Sequence, residues 1–338
     1  MSLELALDQP RLGFLDMAPC WRRPELPRRL MNRAIQVGVD VVMRRTARLQ
    51  RTDPAAFARE IKLWRERAVR WDATAASQVN VEAIKVAAPH AGLTAPPVPA
   101  DWFAPLKGEP RGFVFYVHGG SFMFERSPAL TELVIRFAAR AGARVFAPNY
   151  RLAPEHPCPA AVDDIVAAFR WFRDTWPDEP VVALAESAGG SILLAALQAL
   201  RDAGEELPDG VVLLSPWVDL SLQSWSLIAT TLAGGTGATM GALALMAHFY
   251  LEDLPATDPV ASPLFGDFAG FPPMLIHASR GDMLFDDSVR LADKVRVANG
   301  DLTVRLWAEN AHVFEKAFND QSRQSIEIAG DFIRRHLG

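Results

Sequence analysis

Ser187 lies in AESAGG, residues 185–190, between the apolar runs VVALA and SILLAALQAL. A serine hydroxyl attacks a carbonyl only when a base takes its proton and donors stabilise the oxyanion that forms. A sharp turn from strand to helix lifts such a serine above a sheet edge, and small neighbours are needed because the backbone is crowded there. AESAGG has small residues two before and two after the serine, with Ala185 in the position where glycine is usual. About 0.2 chance matches to a [GA]-x-S-x-G pattern are expected in a chain of this length, so the pattern gains its weight from its position. The second element is HGGS, His118–Ser121, directly after the apolar run FVFYV. Paired glycines there let backbone N–H groups face a ligand with no side chain in the way, as an oxyanion site requires.

Enzymes that carry a nucleophilic serine on a strand-to-helix turn of this kind place an acid and then a histidine after it in the chain. Only His248, His277, His312 and His336 follow Ser187. His248 falls in a helical stretch, His277 inside an apolar strand and His336 at the end of the last helix. His312, in WAENAHVFEKAF, sits just past a strand, where a loop can turn its ring to the sheet edge. Asp282, in the turn SRGD after PPMLIHAS, is the matching acid, at the strand end where catalytic groups collect. Asp286 and Asp287 are expected to cap the following helix.

These residues have to be placed by a repeating framework. From Gly112 onward, apolar strands (FVFYV, ARVFAPNY, PVVALA, GVVLLS) alternate with helical segments (ALTELVIRFAARAG, AAVDDIVAAFRWFRDTW, SILLAALQALRDAG). Such alternation predicts a mostly parallel sheet covered by helices on both faces, an α/β fold. It breaks over about 217–260, which reads as a helical insertion, and resumes with PPMLIHAS, a helix over 286–298, LTVRLW and a final helix to Leu337. Upstream, Asp53 is a good N-cap and Pro54 a good first residue for a helix that carries Phe57, Ile61, Trp64, Ala68 and Trp71 on one side. Residues 24–50 also read as helical, with Leu26, Leu30, Ala34, Val41 and Val42 at helical spacing, and SQVNVEAIKVAA and PPVPADWFAP as short strands. The expected division is a helical segment over 1–75 and a core over 76–338 interrupted by the insertion.

The chain has 338 residues, half of them hydrophobic and 22% charged, which is a globular composition. The net charge of −5 divides into +6 over residues 1–72 and −11 over the rest. Arginines on wet helix faces are the expected source of the basic part, with attraction to an anionic surface or an acidic partner as the alternative, and no nucleic-acid motif accompanies it. Cys20 and Cys158 are far apart and lack C-x-x-C spacing, so both are expected to be free thiols, with no metal site. A secretory signal and an apolar run of membrane length are both absent from the sequence, so a cytoplasmic location is expected.

Taken together, HGGSF, AESAGG, YRLAPEHPCPAAVDD, SPWVDL, DPVASPLF and HVF, in that order, resemble the hormone-sensitive-lipase branch of the α/β-hydrolases. The resemblance covers Tyr116 to Phe314 and does not extend to the first 70 or so residues beyond their helical character. It implies an α/β-hydrolase fold with a helical cap made by the N-terminal segment and the insertion. It further implies Ser187 as nucleophile, His312 as base then acid, Asp282 as the orienting acid, and the amides of Gly119, Gly120 and Ala188 as oxyanion donors. Ser121 replaces a third glycine and is expected to narrow the alcohol side. The implied activity is hydrolysis of short- to medium-chain carboxylic esters through an acyl-enzyme, with no cofactor and no metal. Lactone or amide hydrolysis, acyl transfer, and non-catalytic small-molecule binding on the same scaffold are the alternatives. Phe122, Phe124, Trp217, Trp225, Phe249 and Tyr250 either line the acyl pocket or form packed cap core. The expected partner is a small-molecule ester, with no nucleic acid and no stable membrane insertion; a homodimer stays open.

Overall fold

The computed structural model describes residues 3–4, 45–46, 48–50, 52–73, 83–86, 97–233, 240–308 and 310–338. Its strands are β1 (Leu3–Glu4), β2 (Ala83–Val86), β3 (Ala100–Pro105), β4 (Phe113–Val117), β5 (Arg144–Pro148), β6 (Val181–Glu186), β7 (Gly210–Leu214), β8 (Met274–Ser279) and β9 (Leu302–Trp307). The helices are α1 (Pro54–Ala73), α2 (Pro128–Ala141), α3 (Ala160–Thr175), α4 (Ala188–Asp202), α5 (Trp225–Leu232), α6 (Met240–Leu251), α7 (Phe285–Val297) and α8 (Asp320–His336).

All five residues of β4 are apolar and buried, as are those of β7, and a strand with no polar face must be covered on both sides. Successive side chains serve opposite faces. Phe113, Phe115 and Val117 join one apolar cluster with residues of α1, α3, α4 and α7, whereas Val114 and Tyr116 join another with residues of α2 and α8. The result is one sheet between two helical layers. The strands run in the order β1-β9-β8-β7-β6-β4-β5-β3-β2. Pairing is parallel from β5 through β4, β6, β7 and β8 to β9, and antiparallel for β3 on β5, β2 on β3 and β1 on β9. The chain leaves β4 towards β5 on one side and leaves β6 towards β7 on the other. A crevice therefore opens between the carboxyl ends of β4 and β6, the place where ligands bind in open α/β sheets. HGGS follows β4, and Ser187 follows β6.

The predicted strands and helices of the core form where their patterns place them. Helix α1 begins at Pro54, and the Ala56 amide donates to Asp53 Oδ1 at 2.9 Å, the expected cap. Phe57, Ile61 and Trp64 are buried, and Phe57 lies 5.2 Å from Phe249 of α6, so α1 packs on the insertion. Among the described residues, the stretch 217–260 holds helices α5 and α6 and no strand. The two-residue β1 has no counterpart in the sequence reading, because two residues carry no period. The proposed helical pattern over 24–44, Val41 and Val42 included, lies outside the described residues, as does Cys20. Cys158 is a buried free thiol. No helix among the described residues is long and apolar enough to cross a membrane.

Candidate active site

Ser187 stands between the end of β6 and the start of α4 with φ 54° and ψ −129°, a conformation uncommon for any residue but glycine. Three backbone bonds hold it there. Its N–H donates to Leu214 O at 3.0 Å, and its carbonyl accepts from Gly190 N at 3.0 Å and from Trp217 N at 2.9 Å. The glycines after it are demanded by space. A Cβ on Gly189 would lie 2.3 Å from Val117 O and 2.6 Å from His118 O, and one on Gly190 would lie 2.8 Å from Pro216 Cβ. Ala185 is different. It lies within β6, fully buried in the apolar cluster that includes Val117 and Leu213, so its methyl is core packing and the turn forms with alanine in place.

His312 and Asp282 meet Ser187 from β9 and β8. His312 Nε2 is 2.8 Å from Ser187 Oγ, and His312 Nδ1 is 3.1 and 3.0 Å from the two oxygens of Asp282. A carboxylate can only accept, so Nδ1 carries the ring hydrogen and Nε2 is free to accept from the serine. Asp282 is 1% exposed, whereas about a quarter of the His312 side chain is open to solvent. Burial pushes the Asp282 carboxyl up, but the His312 ring, the Leu284 amide and the Ser215 hydroxyl outweigh it and hold the group below its ordinary value.

The loop that carries His312 is tied down on several sides. Ser279 at the end of β8 accepts from Asn310 N at 2.7 Å. Arg136 of α2 donates to Glu315 O at 2.7 Å. Ser325 of α8 bridges Glu315 Oε1 at 2.8 Å and His277 Nδ1 at 2.7 Å. His277, read from sequence as a histidine inside an apolar strand, is thus part of a buried polar chain that links β8 to this loop.

One expected oxyanion donor points elsewhere. The Gly119 amide donates to Glu186 Oε1, so its single hydrogen is engaged beneath the serine; this replaces the expectation that Gly119 faces the oxyanion. A Cβ on Gly119 would lie 2.3 Å from Glu186 Oε2, which makes glycine necessary for that contact. The next amides, Gly120 and Ser121, and Ala188 at the start of α4 have no hydrogen-bond partner among the described residues. His118 stacks on Tyr150 with ring centroids 4.4 Å apart, and Tyr150 donates to His118 O at 2.6 Å, which braces the loop from behind. Burial lowers His118 to about 4, so its ring is neutral.

Glu186 also accepts from Tyr116 Oη at 3.1 Å, and burial raises its carboxyl from 4.5 to about 7. The folded chain therefore binds this proton more tightly than the unfolded chain. Its stabilising share is full below about 4.5 and is lost as the pH rises to about 7. Glu186→Gln is expected to remove that share of the decline, so melting temperatures from about pH 5 to about pH 8 should fall less in the variant than in the parent.

Other expectations are corrected. Asp286 and Asp287 do not cap their own helix. Asp286 accepts from Ser226 N at 2.8 Å, and Asp287 accepts from Val218 N at 2.9 Å, Asp219 N at 3.0 Å and Ser224 Oγ. They hold the start of the insertion, whose amides have no strand or helix partner of their own there. Burial, with Asp219 nearby, raises Asp287 to about 7. Of the six aromatic residues, Phe122 stacks on Tyr250 at 3.9 Å and lies 5.2 Å from Trp217, all three being 1% exposed. Phe249 is buried against Phe57, Phe124 is partly buried against the same core, and Trp225 is half exposed. A cavity of about 600 Å³ beside the HGGS loop is lined instead by polar groups, among them Arg65, His118, Arg126, Tyr150 and Glu155. Among the described residues, no group of three or more His, Cys, Asp or Glu could hold a metal ion.

A family model of the alpha/beta hydrolase fold matches residues 114–316. An acetyl-hydrolase of Streptomyces hygroscopicus is 37% identical over 242 residues, 71% of this chain and 80% of that protein. Among solved structures, a hormone-sensitive lipase from a metagenome library superposes with a TM-score of 0.74 at 28% identity, covering 85% of this chain and 99% of that one. An esterase of the bacterial hormone-sensitive lipase family gives 0.72 at 28%, covering 90% and 98%. With a sheet whose switch point carries a strained serine and a matching family model over most of its core, the chain belongs to the α/β-hydrolases, in the branch of hormone-sensitive-lipase-like esterases.

Proposed function

We propose that this esterase hydrolyses short- to medium-chain carboxylic esters of small molecules through an acyl-enzyme on Ser187. The observation that carries the reading is the continuous line from Asp282 through both nitrogens of His312 to Ser187 Oγ, with contacts of 3.0 and 2.8 Å. His312 Nε2 takes the serine proton as Oγ adds to the acyl carbon, and Asp282 keeps the ring oriented and stabilises the imidazolium. The oxyanion is received by the amides of Gly120, Ser121 and Ala188, the last at a helix N-terminus whose dipole favours negative charge. The tetrahedral species collapses as the alcohol leaves with the proton from His312. Water, deprotonated by the same ring, then adds to the acyl carbon and Ser187 departs protonated. The reading invokes no cofactor.

A short acyl side is supported by the packing of Phe122, stacked on Tyr250 and tilted against Trp217, next to the serine turn, which leaves those buried rings little freedom to part. The similarity to an acetyl-hydrolase points the same way. The test is a fluorophosphonate probe followed by mass mapping, with a nitrophenyl ester series from acetyl to dodecanoyl. Label on the peptide carrying Ser187 and a kcat/KM that falls beyond hexanoyl are expected. Label elsewhere overturns the nucleophile, and a rate that climbs to dodecanoyl overturns the chain length.

A further inference from the structure

Acid and base of the proposed triad come from different strands, and one hydroxyl joins them. Ser215 follows β7, is 2% exposed and sits at φ 47°. Its own amide donates to His277 O at 2.9 Å, which anchors it to β8. Its Oγ lies 3.3 Å from the amide of Val313, the residue next to His312, and is also hydrogen-bonded to the Asp282 carboxylate. The chemistry fixes the direction of both bonds. An amide only donates, so Oγ accepts from Val313, and its one hydrogen is left for the carboxylate, which only accepts.

Val313 is itself in a left-handed conformation, φ 47° and ψ 55°, which a β-branched residue adopts only when its surroundings impose it. The amide that Ser215 holds is therefore the one at the strained bend that turns His312 towards Ser187. We propose that Ser215 is a positioning residue that sets the acid and the base in register, by holding the Asp282 carboxylate and the bend after His312 with a single hydroxyl. The proposal rests on the assignment of Asp282 and His312 above. It assigns a role to the first residue of SPWVDL, a segment the sequence singles out without a function.

Two variants test it. Ser215→Ala removes the hydroxyl, and Ser215→Gly removes it while suiting the positive φ, which keeps the fold intact if alanine does not. Both are expected to lower kcat on a nitrophenyl acetate by about 10- to 100-fold, the cost of a small misplacement of reacting groups, with KM within about twofold. Fluorophosphonate labelling of Ser187 should slow in step, with the glycine variant melting close to the parent. A parent-like kcat in the glycine variant, or a loss confined to KM, overturns the proposal. Ser187→Ala run alongside separates the two ideas: if it keeps the parent rate, the triad assignment fails, whatever Ser215 does.

Discussion

Ser187→Ala is expected to lower kcat by about 10⁴-fold or more while leaving the fold in place. The hydroxyl has one bond in the structure, to His312 Nε2 at 2.8 Å, and a partly exposed bond of this kind contributes about 1 kcal/mol. The backbone at φ 54° is as costly for alanine as for serine, and its three bonds to Leu214, Gly190 and Trp217 do not involve the side chain. The melting temperature should therefore move by only a few degrees. All of the lost rate comes from the absent nucleophile. The free amides of Gly120, Ser121 and Ala188 still polarise a bound carbonyl, so a residual rate about 10³-fold above the uncatalysed one is expected. Steady-state kinetics on a short nitrophenyl ester, with thermal unfolding on the same preparation, measures both. A variant that retains the parent rate removes Ser187 from the chemistry.

Asp282→Asn should cost nearly as much, about 10³- to 10⁴-fold in kcat, through the ring tautomer and not through shape. Asp282 accepts at both oxygens from His312 Nδ1 and at Oδ1 from Leu284 N at 3.0 Å. An asparagine of the same size keeps an acceptor for Leu284 but turns its NH₂ towards the imidazole. The ring then takes its hydrogen on Nε2, which faces Ser187 and can no longer accept. Substrate affinity depends on neither hydrogen, so KM should stay within a few-fold while kcat falls. Burial of an uncharged amide where a carboxylate stood also removes the pH dependence that this group brings. Asp282 is held below its ordinary value, so it stabilises the fold above that value and loses the contribution as the pH falls through its lowered one. Acid unfolding of the variant should begin from a lower stability and decline less steeply. A variant with unchanged kcat assigns the orienting role to another group.

The parts of the site legible in the sequence are those with a local cause. FVFYV and GVVLL read as buried strands because no residue in them is polar, and HGGS and AESAGG read as turns because their small residues answer to crowding within a few positions. The order of Ser187, Asp282 and His312 restricts the choice of histidine to the one that follows a strand. What escaped depends on contacts between distant segments. Gly119 has the composition of an oxyanion donor, yet its hydrogen goes to Glu186, whose carboxyl arrives from the neighbouring strand. Asp286 and Asp287 have the spacing of capping residues, yet they reach the insertion, because unpaired amides at 218, 219 and 226 lie within range. Nothing in the sequence assigns a contact to Ser215 or Glu315, since a buried hydroxyl or carboxylate is defined by its partners.

By itself, the sequence determined the layered α/β architecture and the small-residue turn at Ser187, because hydrophobic period and glycine crowding are properties of neighbouring residues, and it singled out Asp282 and His312 as the candidate acid and base by their places after strands. The tertiary structure alone decided which amides of the turns are left without a backbone partner, that Ala185 is core and not an obstacle, and that Phe122, Trp217, Phe249 and Tyr250 are buried in packed core. It also decided that His312 is held by Ser215, Ser279 and the Glu315–Ser325–His277 chain. The physical reason is common to these cases. A hydrogen bond or a packed ring depends on which segments the sheet brings within a few ångströms, and β4, β6, β7, β8 and β9 converge on the site from positions far apart along the chain.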